Sequence, residues 1–173
     1  MNSVNKGILA CGKQAKADMH LAKDYGVLLE MEAGNREHEY SKEFHFLTET
    51  TSKPFVYKEY VTDFEEEENA DKVEKIREYV EDYINTFEKL LYSTDSDWAS
   101  IESMIDVDSF ILYFFISEFS GNIDVMYSST YFYIDGEDDV LHCGPVWDYD
   151  RAMGWSHNYD QSTDGDFLKN IDD

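Results

Sequence analysis

Between residues 110 and 150 the chain changes its hydrophobic period twice, and this constrains its fold more than any other feature. Phe110-Ile111-Leu112-Tyr113-Phe114-Phe115-Ile116 is apolar nearly all round, the pattern of a buried helix. Asp106 or Asp108 can cap its start, and Gly121 is a good C-terminal stop. A loop with Asn122 and Asp124 follows. Thr130-Tyr131-Phe132-Tyr133-Ile134 is then an aromatic, β-branched strand, Asp135-Gly136 a strong turn signal, and Val140-Leu141-His142-Cys143 the return strand. Gly144-Pro145 ends the hairpin and leads into a loop with Asp148 and Asp150. A hairpin folds back on itself, so the loop before it and the loop after it emerge at one end. The sequence therefore predicts that Asp124 neighbours Asp148 and Asp150.

Upstream, three short segments read as strands: Val27 to Met31, Phe44 to Leu47, and Phe55 to Tyr60, the last alternating with period two. Gly34-Asn35 is a turn signal between the first two. A charged stretch beginning Glu65-Glu66-Glu67-Glu68 precedes Val73, Ile76, Val80, Tyr83/Ile84, Phe87 and Leu90/Leu91, which recur at helical steps. They form one face of an amphipathic helix of about six turns. Negative charge at its entry is favoured by the helix dipole. The class is α+β: a small antiparallel sheet, a long amphipathic helix, a buried helix, then a hairpin bracketed by acidic loops. Residues 1–25 read as an irregular segment, 26–155 as the folded domain, and 156–173 as an acidic tail.

Composition narrows the function. The 173 residues carry 14 Lys+Arg and 38 Asp+Glu, a formal charge of −24. That argues against nucleic-acid binding, which needs basic patches, and against docking on anionic membranes. No apolar run reaches the roughly 18–20 residues that span a bilayer, and no signal peptide is read near Gly7-Ile8-Leu9-Ala10. Aromatics at 16% supply enough core material that the chain is not a disordered acidic tail. Cys11 and Cys143 cannot build a disulfide framework or a zinc site by themselves; they read as free thiols, with a single Cys11–Cys143 bridge as the alternative.

Carboxylates and an amide gathered at one mouth repel one another without a cation. Hard oxygen donors of this kind suit Mg²⁺ or Mn²⁺. Protein kinases use the same layout: one Asp orients the acceptor hydroxyl, and another, after a hairpin, holds metal on the nucleotide phosphates.

Asp106-Val-Asp-Ser-Phe110, Glu118-Phe-Ser-Gly-Asn-Ile-Asp124, Ser129-Thr-Tyr-Phe-Tyr133 and Gly144-Pro-Val-Trp-Asp-Tyr-Asp150, with Gly154 after it, resemble the CotH family of spore-coat kinase-like proteins. Gly26-Val-Leu-Leu-Glu30 and Pro54-Phe-Val-Tyr-Lys58 resemble that family's upstream strands, so the likeness runs from about Gly26 to Gly154. It implies an atypical protein-kinase-like fold and transfer of the ATP γ-phosphoryl group, with Mg²⁺ or Mn²⁺, to Ser or Thr of partner coat or surface proteins. It also implies a bacterial spore-coat, cell-surface or secreted setting. By position, Asp124 is the catalytic-loop carboxylate and Asn122 fixes that loop or contacts metal. Asp148 and Asp150 are the metal ligands, or Asp150 orients Asp148. The family's upstream Arg-Gly-rich segment has no counterpart in residues 1–25, and no Gly-rich phosphate loop is visible, so a partial domain is expected. A non-catalytic surface or scaffold module with a structural divalent cation is the alternative.

Further residues follow from the comparison with ordinary kinases. Lys58 lies on a strand before a long helix, where kinases keep a phosphate-binding Lys, and its partner is then expected among Glu74, Glu78 and Glu81. Ser129, five residues after Asp124, stands where kinases place a metal-binding Asn. Glu118 is expected to brace the Asn122–Asp124 loop, with a direct metal role as the alternative. Trp147 and Trp155 are expected to pack in the core, with adenine or substrate stacking as the alternative, and Arg151 to meet phosphate or to pair with Asp148 or Asp150.

Overall fold

The computed structural model describes residues 26–33, 45–60, 70–134 and 139–153. Its elements, in order, are β1 (Val27–Met31), β2 (His45–Leu47), β3 (Pro54–Tyr60), α1 (Ala70–Tyr92), α2 (Trp98–Glu102), α3 (Val107–Ser120), β4 (Thr130–Ile134) and β5 (Leu141–Cys143). The five strands form one antiparallel sheet in the order β2-β3-β1-β4-β5. The upstream strands and the late hairpin are therefore one structure, joined at β1. Because β1 is paired on both sides, its backbone groups are satisfied and its side chains are buried on both faces.

Period-two alternation sorts the sheet into two faces. Val27, Leu29, Met31, Phe55, Tyr57, Phe132, Ile134, Leu141 and Cys143 point to one, where they meet Ile76, Val80 and Ile84 of α1 and Tyr113 of α3. The three α1 residues stand at four-residue steps, so a single stripe of that helix fills the core. Each contributes about 1.5–3 kcal/mol by leaving water. Leu28, Tyr131 and Tyr133 cluster on the opposite face.

Glu88 fastens the β2–β3 turn to α1. Its carboxylate accepts from the Thr48 hydroxyl at 2.7 Å, from the Thr51 hydroxyl, and from the backbone N–H groups of Thr50 and Thr51 at 3.0 and 3.4 Å. Burial pushes its carboxyl up, but these donors outweigh that and hold it below the usual carboxylate range.

α3 begins and ends as expected: Asp106 Oδ1 accepts from the Ser109 N–H at 2.8 Å, and Gly121 closes the helix with φ 62°. Its burial differs from the expectation. Only Tyr113, Ser117 and Ser120 are buried, while Leu112, Phe115 and Phe119 are 61%, 63% and 84% exposed. The reason is geometric. A helix laid on a sheet buries one stripe, and among the described residues no element packs on the far side of α3. The short α2, which the sequence reading passed over, is capped by Asp97, whose side chain accepts from the Ser100 N–H at 2.8 Å. Cys143 is a free, buried thiol. No helix among the described residues is long and apolar enough to cross a membrane. Gly34-Asn35, the acidic run at 65–68, Asp135-Gly136, Trp155, Cys11 and both terminal segments lie outside the described residues.

Candidate functional site

Three segments meet where β1 ends, β4 begins and β5 ends. The register explains it: Met31 faces Thr130 across β1–β4, and Phe132 faces Cys143 across β4–β5. The α3–β4 loop (121–129) and the loop after β5 (144–153) thus emerge side by side. The Gly144 N–H donates to the Tyr131 carbonyl at 2.7 Å, and the Ser117 and Tyr149 hydroxyls lie 2.7 Å apart, tying the second loop to β4 and α3.

The first loop is wound tightly on itself. Asn122 is buried, and its Oδ1 accepts from the Asp124 N–H at 3.2 Å. The Asp124 carbonyl accepts from the Tyr127 and Ser128 N–H groups, each at 3.1 Å. The Thr130 hydroxyl accepts from the Met126 N–H at 3.0 Å. Met126, Ser129, Asp148 and Met153 all hold positive φ, at 54°, 51°, 57° and 57°. Such non-glycine positions cost of order 1–3 kcal/mol each and concentrate at functional sites. Ser129 and Asp148 share one contact: the Ser129 hydroxyl donates to Asp148 Oδ2 at 3.1 Å.

Asp124 sits inside this mouth. Burial pushes its carboxyl above the usual carboxylate range, Arg151 opposes that, and the charges of Asp148 and Asp150 push it further up. Asp148 and Asp150 therefore both lie within electrostatic reach of Asp124, as the hairpin argument expects. Arg151 Nη1 donates to Asp124 Oδ1 at 3.1 Å and Oδ2 at 3.4 Å. The expectation that Arg151 pairs with Asp148 or Asp150 is corrected, since its ion pair is with Asp124. The partly buried carboxylate is the one most in need of a counter-charge.

Lys58 stands apart from the three aspartates. Its ammonium lies 2.6 Å from Oε2 of Glu30 on β1, a residue 4% exposed. The expected helix partner is thereby corrected. α1 packs on one face of the sheet, and Lys58 reaches Glu30 on the other. Among the three helix candidates, Glu81 receives the Tyr57 hydroxyl at 3.3 Å, and both Glu74 and Glu81 pair with Arg77. The β1–β3 register slips between Leu28 and Leu29, close to where Lys58 sits.

Two residues missed by the sequence reading link Lys58 to the mouth. Tyr131 faces Glu30 across β1–β4, and burial, then Glu30, Glu32 and Asp148, all raise its hydroxyl pKa. Glu32, 2% exposed, accepts the Ser128 hydroxyl at 2.9 Å. Strand alternation was the available signal: it puts Glu30, Glu32 and Tyr131 on the face away from the core. Trp147, expected in the core, is 54% exposed and tilts against Tyr131 at 6.1 Å. Glu118 is half-buried; its carbonyl, rather than its carboxylate, meets the loop, accepting from the Gly121 N–H at 3.3 Å.

Among the described residues, no three His, Cys, Asp or Glu side chains converge as a ready metal cage. Two exposed carboxylates, Asp148 and Asp150, remain beside Asp124. This donor set fits Mg²⁺, which commonly takes one or two carboxylates and completes its shell with water and substrate phosphates.

These features define an α+β protein that gathers carboxylates at the mouth of a β-hairpin. The chain belongs to the CotH family: residues 8–172 match the family model described as CotH kinase protein. The match extends beyond the Gly26–Gly154 likeness in both directions. No curated protein and no solved structure matches the chain.

Proposed function

We propose that this protein is an atypical protein Ser/Thr kinase with a protein-kinase-like fold, transferring the ATP γ-phosphoryl group to a hydroxyl of a partner coat or surface protein. The observation that carries the reading is the meeting of the Asn122–Asp124 loop and the Asp148–Asp150 loop at the hairpin mouth, where Ser129 donates to Asp148 and Arg151 to Asp124. Family membership supports a kinase-like function in general.

Asp124 accepts the hydrogen bond of the acceptor Ser or Thr hydroxyl and takes its proton as the new O–P bond forms. A raised pKa suits a carboxylate for that exchange. Asn122 holds the Asp124 backbone in place. Ser129 orients Asp148, and Asp148 with Asp150 would hold the Mg²⁺ or Mn²⁺ that arrives on the nucleotide. That ion would supply neutralisation of the phosphate charge. Lys58, backed by buried Glu30, supplies a fixed cation on the same sheet face as Tyr131.

Asp124→Asn keeps the shape and removes the proton acceptor. Transfer of labelled γ-phosphate to Ser/Thr-bearing protein is expected to fall about 100- to 10,000-fold in this variant. Equal transfer by the variant and the wild type would remove Asp124 from the mechanism. Stabilisation by divalent metal alone, with no transfer by either protein, would favour the scaffold reading.

A further inference from the structure

Arg151 is an unusual residue to find in this mouth. The whole chain has 14 Lys+Arg against 38 Asp+Glu, yet this one pairs with Asp124 at 3.1 Å and follows Asp148 and Asp150 in the same loop. Its grip on Asp124 is also incomplete. A guanidinium usually clamps a carboxylate fork-to-fork with two nitrogens. Here Nη1 alone serves both Asp124 oxygens, at 3.1 and 3.4 Å. Among the described residues, Nε and Nη2 make no hydrogen bond or ion pair, and the side chain is 39% exposed. Planar donors left open beside a proton-accepting carboxylate suit a tetrahedral phosphoryl group. Lys58 lies apart from this contact, paired with buried Glu30 at 2.6 Å.

We infer that Arg151 is a phosphate-binding residue of this site: it holds Asp124 with Nη1 and presents Nη2 and Nε to the γ-phosphoryl group of ATP. The inference rests on the kinase reading and adds a specific contact to it. In the transfer, the acceptor oxygen bonds to the γ-phosphorus, the bond from that phosphorus to the β-bridging oxygen breaks, the hydroxyl proton passes to Asp124, and ADP leaves. Arg151 stays in contact with the moving phosphoryl oxygens throughout, so base and phosphoryl group are aligned by one side chain.

A contact of this kind distinguishes ATP from ADP, whereas a merely structural Arg–Asp pair does not. Calorimetric titration with Mg²⁺·ATP and with Mg²⁺·ADP, on wild type, Arg151→Gln and Arg151→Lys, tests it. Arg151→Gln is expected to weaken ATP binding about ten-fold while changing ADP binding less than about two-fold. Arg151→Lys is expected to recover part of the ATP affinity, because it restores the charge without the planar donors. Equal losses for ATP and ADP, or no loss for either, would overturn the inference and leave the kinase reading standing. Should Arg151→Gln unfold, Arg151→Lys alone decides the matter: an unchanged ATP-to-ADP affinity ratio overturns the contact. Failure of the wild type to bind either nucleotide would overturn both.

Discussion

At the scale of residues, buried charge sorts the side chains by role. Glu88 is buried for structure: four donors converge on it, all from the β2–β3 turn. Its folded pKa lies below the ordinary 4.5, so it stabilises the fold fully above pH 4.5. That contribution is lost as pH falls through the lower folded value. Glu88→Gln is therefore expected to lower stability on the order of 2 kcal/mol at neutral pH. The gap from wild type should close as unfolding is followed below pH 4.5. A gap that stays constant down to acid would show that the carboxylate charge is not what the threonines bind. Asp124 behaves oppositely, since its raised pKa marks a carboxylate whose ionised form is strained in the folded state. The sequence made Asp124, Asp148 and Asp150 neighbours because hairpin topology alone decides that. It did not reveal the partners of Arg151 and Lys58. Spacing places a long side chain near several acids, and burial then selects among them.

At the scale of elements, strand and helix positions were largely legible, and the environment of α3 was not. β4 runs over the expected Thr130–Ile134, and Asp106 and Gly121 bound α3 as their chemistry predicts. Hydrophobicity all round a helix says only that it is able to be buried on every side. How many sides are covered depends on what surrounds it. This distinction has a direct check. Phe119→Ser, at a position 84% exposed, is expected to change stability by less than about 0.5 kcal/mol. Tyr113→Ala, at 2% exposed in the core, is expected to cost about 3–5 kcal/mol. Denaturant unfolding of the two variants measures both. A loss of several kcal/mol for Phe119→Ser would mean that the outer stripe of α3 is packed after all.

At the scale of the whole molecule, the single sheet places the site. β1 joins the upstream strands to the late hairpin, and this brings Glu30, Glu32 and Lys58 to the same face as Tyr131. Local patterns could not show that joint, because strand order in a sheet is set by long-range pairing. Net charge has a second consequence at this scale. A chain of −24 repels nucleotide phosphates in general, so binding has to be local and cation-assisted. The central claim is that the carboxylates at the hairpin mouth hold nucleotide through a divalent ion. Calorimetric titration of ATP, with and without Mg²⁺, into wild type and Asp148→Ala tests it most directly. The account predicts Mg²⁺-dependent binding by the wild type and its loss in Asp148→Ala; ATP affinity in the variant equal to wild type would contradict it.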